Sequence, residues 1–72
     1  MLEIALLSVV ALLEDFPKKG LLRGQVGTIV ESLAPGVYEV EFSDDSGRTY
    51  ASLALRGDQL MLLHHAPAHQ AA

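Results

Sequence analysis

Residues 25–42 read QVGTIVESLAPGVYEVEF, and the fold is decided within them. Thr28-Ile29-Val30 is the strongest strand triplet in the chain, since β-branched side chains suit a pleated surface. It predicts a strand over about residues 25–33. Ala34-Pro35-Gly36 predicts a turn, with Pro at the first central position and Gly supplying positive φ at the second. Residues 37–42 then alternate without a break. Tyr38, Val40 and Phe42 fall on one face, Glu39 and Glu41 on the other. Period-two alternation marks an antiparallel strand with one wet face.

Working outward, residues 8–13 (SVVALL) predict a strand that Glu14-Asp15-Phe16-Pro17 ends. Residues 1–7 fit a short helical face or an extended lead equally well. Leu21 and Leu22 are expected to tuck back from the long loop onto the body. Gly24 is expected to turn the chain, and Gly27 to let strands approach closely. Ser43-Asp44-Asp45-Ser46-Gly47 is a polar hairpin loop with Gly47 at a left-handed position. Residues 48–55 predict a further strand whose register is open. Arg56-Gly57-Asp58 is a tight link compatible with one turn of 3-10 helix. Residues 59–63 are the last apolar segment, and 64–72 (HHAPAHQAA) are expected to form a frayed tail.

Five short strands with these connections predict an all-β fold: a small, SH3-like, partly open barrel formed by residues 1–63. The expected core is Val10, Leu12, Val26, Ile29, Val30, Val40, Phe42 and Leu60. At 72 residues the chain is long enough for one small domain. Half its residues are apolar (50%) and 19% are charged, a folding composition. With no Cys, a disulfide framework, a thiolate metal site and a cysteine nucleophile are all excluded.

Nine acids against five bases give a formal charge of −4, and the bases (Lys18, Lys19, Arg23, Arg48, Arg56) are scattered among acids. Nucleic-acid affinity needs clustered bases that displace counterions from phosphates, so no nucleic-acid binding is expected. The apolar run at residues 4–13 is too short to span a bilayer. It also lacks the basic flank of a secretory leader, so a cytoplasmic protein and no membrane association are expected.

The LLEDFP step, the RGQVGTIVE block, the APGVYEVEFSD hairpin and the final ALRGDQL together resemble a bacterial family known as a domain of unknown function (number four-nine-two-six). The likeness covers residues 9–63. Gly24, Gly27, Ile29 and Val30 are also spaced like a KOW-type segment. The family resemblance supports the barrel and implies no activity. It suggests a paired, antitoxin- or immunity-like partner of a neighbouring gene product, whereas the KOW likeness suggests an RNA- or ribosome-associated domain.

Few residues could carry chemistry. His64, His65 and His69 are the only histidines, and clustered imidazoles can hold Zn²⁺ or Ni²⁺. Their Ala-rich setting offers no carboxylate to orient them, so neither metal nor cofactor is expected. The Ser43–Ser46 loop is too short for a calcium loop and lacks a closing Glu. Glu39 and Glu41, with Glu31 nearby, could form a carboxylate pair, but a convex strand face supplies no pocket to shift a pKa. An enzyme is not expected. The expected function is a non-catalytic interaction module for a protein partner, basic in character, with a KOW-like RNA domain or an accessory barrel of an enzyme complex as alternatives. Strict alternation would leave several of Leu6, Leu7, Val9, Ala11 and Leu13 facing outward, and residues 60–63 are likewise too apolar for a strand with one wet face, so a homodimer or a constitutive hetero-complex built on the N-terminal run and the last strand is expected. The expected interaction surface is Leu6, Leu7, Val9, Glu39, Glu41, Tyr50 and Leu63.

Overall fold

The computed structural model describes residues 3–68. Five strands follow one another: β1 (Val9–Leu12), β2 (Val26–Ala34), β3 (Val37–Ser43), β4 (Thr49–Arg56) and β5 (Leu60–Leu62). Two turns of 3-10 helix punctuate them, Pro17–Lys19 in the long β1–β2 connection and Gly57–Gln59 just before β5. The strands form one antiparallel sheet in the order β4-β3-β2-β1-β5. The sheet stays open, so β4 and β5 each keep one unpaired edge. It nevertheless curls strongly. Inner side chains from all five strands meet in a single cluster of Val10, Leu12, Ile29, Tyr38, Val40, Phe42, Leu55 and Leu60. The all-β, five-stranded, partly open architecture read from the sequence is therefore the one observed, with the 3-10 turn where it was expected.

β3 behaves as its alternation dictates. Tyr38, Val40 and Phe42 are fully buried, and Glu39 and Glu41 lie on the outer face. The Pro35-Gly36 turn pairs Ala34 with Val37, and Gly36 takes φ 74° as the turn requires. β2 departs from expectation in two places. Val26 is 49% exposed and Val30 37% exposed, so neither belongs to the core. Val26 points outward because Gly27 holds the inner position beside it. A Cβ at Gly27 would stand 2.8 Å from Val40 Cγ1 and 2.9 Å from Phe42 Cε2. Side chains of β3 fill the space that a residue of β2 would otherwise occupy. Val30 is displaced by a β-bulge: Ile29 pairs with Val40 and Glu31 with Glu39, which leaves Val30 as the extra residue.

The core also takes a residue from outside the strands. Phe16 and Leu21 form an isolated bridge around the first 3-10 turn, which buries Leu21 completely and leaves Leu22 exposed. Residues 3–8, before β1, form neither helix nor strand. Leu7 adopts φ 69°, and its N–H donates to the Ile29 carbonyl at 2.7 Å, continuing the β1–β2 contact through a turn. Ile4 packs on the core, and its N–H donates to the Tyr38 hydroxyl at 3.0 Å. That hydroxyl donates in turn to Glu3 at 3.3 Å.

Gly27→Ala is expected to destabilise the domain by about 1–3 kcal/mol, the usual penalty for overpacking a filled core. The loss should shrink in a Val40→Ala background, because the two positions compete for one volume. Urea denaturation of the four proteins in this cycle measures it, and additive losses would show that Gly27 matters for another reason.

Candidate protein-interaction surface

Strand register sorts the outer face of the sheet into two halves. One row across it runs Leu63, Val9, Thr28, Glu41, Ser52, since Val9 pairs with Thr28, Thr28 with Glu41, Glu41 with Ser52, and the Leu63 N–H donates to the Val9 carbonyl. The neighbouring row holds Met61, Ala11 and Val26. The outer positions of β5, β1 and β2 in these rows carry no charged side chain. Val26 and Met61 stand about half exposed on either side of Ala11, which they cover to 8% exposure. Leu13 and Leu7 extend the apolar strip along β1 at either end, and both are exposed.

The other half is acidic. Glu31 on β2 lies directly opposite Glu39 on β3, and Glu41 follows two positions on. Like charges facing across a strand pair destabilise a sheet. The Ser52 hydroxyl relieves part of this by donating to Glu39. At the β3–β4 hairpin, Asp44 accepts hydrogen bonds from the Ser46 hydroxyl (2.7 Å), the Ser46 N–H (2.9 Å) and the Arg48 N–H (3.0 Å). These bonds, the Ser46 hydroxyl foremost, hold the Asp44 carboxyl below the ordinary carboxylate range.

The structure gathers only part of the expected surface. Leu7, Val9 and Leu63 share the apolar half, and Leu6 is exposed beside Leu7. Glu39 and Glu41 occupy the acidic half. Tyr50 belongs to neither. A register shift after Phe42 turns its ring toward the Phe42 ring (centroids 6.5 Å apart), and its hydroxyl accepts from the Gln25 side chain at 2.9 Å, across β3. Val26 was missed, having been expected in the core, and Met61 was expected only as part of the apolar 60–63 segment. They lie far from Val9 in the sequence, and only the pairing of β1 with both neighbours unites them. A second feature was missed as well. A concavity of about 360 Å³ lies between Leu53 on β4 and residues 14–19, Phe16 among them. Lys18 and Lys19 line it together with Glu14 and Asp15, so it carries no consistent charge.

His64 and His65 follow β5 and are exposed, while His69 lies outside the described residues, as does the rest of the expected tail from residue 69 on. Among the described residues, no group of three or more His, Asp or Glu side chains is placed to hold a metal ion. No helix among them is long and apolar enough to cross a membrane.

A family model described as Domain of unknown function (DUF4926) matches residues 6–62, from the exposed leucines before β1 to the end of β5. The chain belongs to this family. The match thus spans all five strands. No curated protein and no solved structure matches the chain.

Folding lowers the Asp44 pKa. The hairpin's contribution is therefore fully present above the unfolded-state value and fades as pH falls through the folded one. The Asp44 carboxyl signal, followed by NMR, is expected to titrate below the ordinary carboxylate range. Asp44→Ala should reduce the acid-side loss of stability. An Asp44 midpoint at or above the ordinary range would contradict the hydrogen-bond assignment.

Proposed function

We propose that the chain is a non-catalytic protein-interaction domain whose contact surface is the outer face of the sheet. One observation carries this reading: an uncharged apolar half and an acidic half stand side by side on that face. Exposed apolar side chains occur singly on any protein, but a contiguous group on one face is characteristic of an interface. The adjoining carboxylates favour a partner with basic groups opposite Glu39 and Glu41. The opposed Glu31 and Glu39 make the same point, since a basic partner would neutralise a pair that costs the isolated domain stability.

The specific version is a bacterial, cytoplasmic protein that pairs with the product of a neighbouring gene in the manner of an antitoxin or immunity protein. The apolar run at residues 4–13 supports the soluble placement, because it is spent on β1, the strand between β2 and β5, and on its approach. The bases speak against an RNA-binding role. Arg56 is held by Asp58 at 3.0 Å, Arg48 approaches Asp44 at 3.9 Å, and Lys18 and Lys19 lie beside Glu14 and Asp15.

Affinity capture from the native host is expected to recover a protein that Met61→Glu no longer retains and that high salt weakens. Recovery of nucleic acid in its place would overturn the reading in favour of a KOW-like domain. In a separate experiment, RNA and duplex DNA are expected to show no gel shift at about 0.15 M salt, where phosphate contacts without clustered bases are screened.

A further inference from the structure

We infer that the open edge of β4 docks an extended segment of a partner protein whose side chains alternate basic, apolar, basic, added antiparallel to the sheet as a further strand. The inference rests on the reading above that a partner with basic groups meets Glu39 and Glu41, and it names the backbone that carries those groups.

Strand register shows which backbone groups of β4 are free. The Gly57 N–H donates to the Gly36 carbonyl at 2.9 Å, one step beyond the Val37–Arg56 pair. Hydrogen-bonded and non-bonded pairs alternate along antiparallel strands. Tyr38–Leu55, Val40–Leu53 and Phe42–Ala51 therefore carry the bonds between β3 and β4. The N–H and C=O groups of Ser52 and Ala54 point away from β3, and both residues are exposed. Among the described residues, no other segment pairs with them. Edge strands are ordinarily protected by charges or Pro, and residues 49–55 (TYASLAL) carry neither. The opposite edge offers less. β5 is three residues long, and the Leu60 N–H already donates to the Gly57 carbonyl.

The side chains around this edge define what fits it. Leu53 pairs with Val40 and shares its inward parity. A residue opposite Leu53 on the added strand thus faces the concavity between Leu53 and residues 14–19. Leu53 and Phe16, both packed against the core, make that space apolar, while Glu14 and Asp15 offset Lys18 and Lys19. It takes an uncharged apolar side chain. The residues opposite Ser52 and Ala54 lie on the outer face instead, in the rows of Glu41 and Glu39. Those carboxylates stand two strand spacings away, about 10 Å. Only a Ser and an Ala side chain intervene, and the Ser52 hydroxyl already donates to Glu39. A Lys or Arg on the added strand has the length to lie over Ser52 or Ala54 and bring its charge to the same carboxylates.

NMR titration of the isotopically labelled full chain with the capped peptide Thr-Thr-Lys-Leu-Lys-Thr-Thr tests this. With peptide at up to about 5 mM, enough to detect a Kd of about 1 mM, the Ser52 and Ala54 amides are expected to shift and to exchange more slowly with solvent. The Leu53 methyl signals should shift with them. Replacing both peptide lysines by glutamate should weaken binding by about tenfold or more. Methylating both lysine amide nitrogens should abolish it, since antiparallel pairing turns those amides toward Ser52 and Ala54. Ala54→Pro removes an edge N–H without touching the bonds to β3 and should abolish binding as well. If that variant loses its far-UV circular dichroism, the N-methylated peptide decides the point on the wild type. A peptide that leaves Ser52 and Ala54 unchanged, or that binds equally well after N-methylation or charge reversal, overturns the inference. If it does so while Met61→Glu still abolishes capture of the host protein, the outer-face reading stands and only the edge falls. If the peptide binds as expected while Met61→Glu leaves capture intact, the edge stands and the apolar half is no interface. If neither the peptide nor Met61→Glu has an effect, both fall.

Discussion

The contact between the bare backbone at Gly27 and the side chains of Val40 and Phe42 governs this fold. β2 has no side chain at that inner position because β3 fills the volume from the neighbouring strand. Two consequences follow from one missing Cβ. The sheet curls tightly enough for five strands to share a single apolar cluster. The parity of β2 is also fixed, so that Val26 and Thr28 face outward beside Val9 and Ala11. The glycine that closes the core thereby creates part of the apolar surface on the other side of the sheet.

The core accommodates one polar group, and Glu3 and Ile4 are arranged around it. Tyr38 is fully buried, yet its hydroxyl accepts from Ile4 and donates to Glu3. A buried hydroxyl without partners would cost on the order of 1–3 kcal/mol. The segment before β1 supplies both partners, and no buried side-chain polar atom among the described residues lacks one. Ile4 also approaches Gly57, where a Cβ would lie 3.8 Å from it and 3.6 Å from the Tyr38 ring. The first described residues, the start of β3 and the 3-10 turn before β5 therefore form one packing unit.

Much of this was legible in the sequence, and the exceptions share a physical origin. β3 could be read residue by residue because period-two alternation is a local signal and Tyr38, Val40 and Phe42 obey it. β2 could be placed but not faced. Its inward residue is a glycine, which carries no hydrophobic signature, and bulges at Val30 and Leu33 reset the alternation twice. Leu21 and Leu22 were both expected to tuck back onto the body, but the bridge to Phe16 carries only Leu21 into the core and leaves Leu22 exposed. On the surface, Leu7, Val9 and Leu63 were readable from the excess of apolar residues in their own segments. Met61 shared that excess without being singled out, and Val26 was not readable, because its place in the strip depends on which strand lies beside β1. Tyr50 was assigned to the outer surface, but the register shift at Ser43 turns it toward Gln25.

The position of β1 between β2 and β5 also bears on the order in which the domain forms. β2, β3 and β4 are joined by short turns and make mostly local contacts, so closing them costs little chain entropy. β5 has no partner in that meander. It pairs only with β1, across a separation of about 50 residues, and β1 must itself first dock on β2 through the long connection around Pro17–Lys19. Assembly is thus expected to be sequential at its end, with a three-stranded intermediate geometry, then β1, then β5. Substitutions in β5 should accordingly speed unfolding and leave the folding rate nearly untouched, whereas those at the β2–β3 turn should slow folding itself.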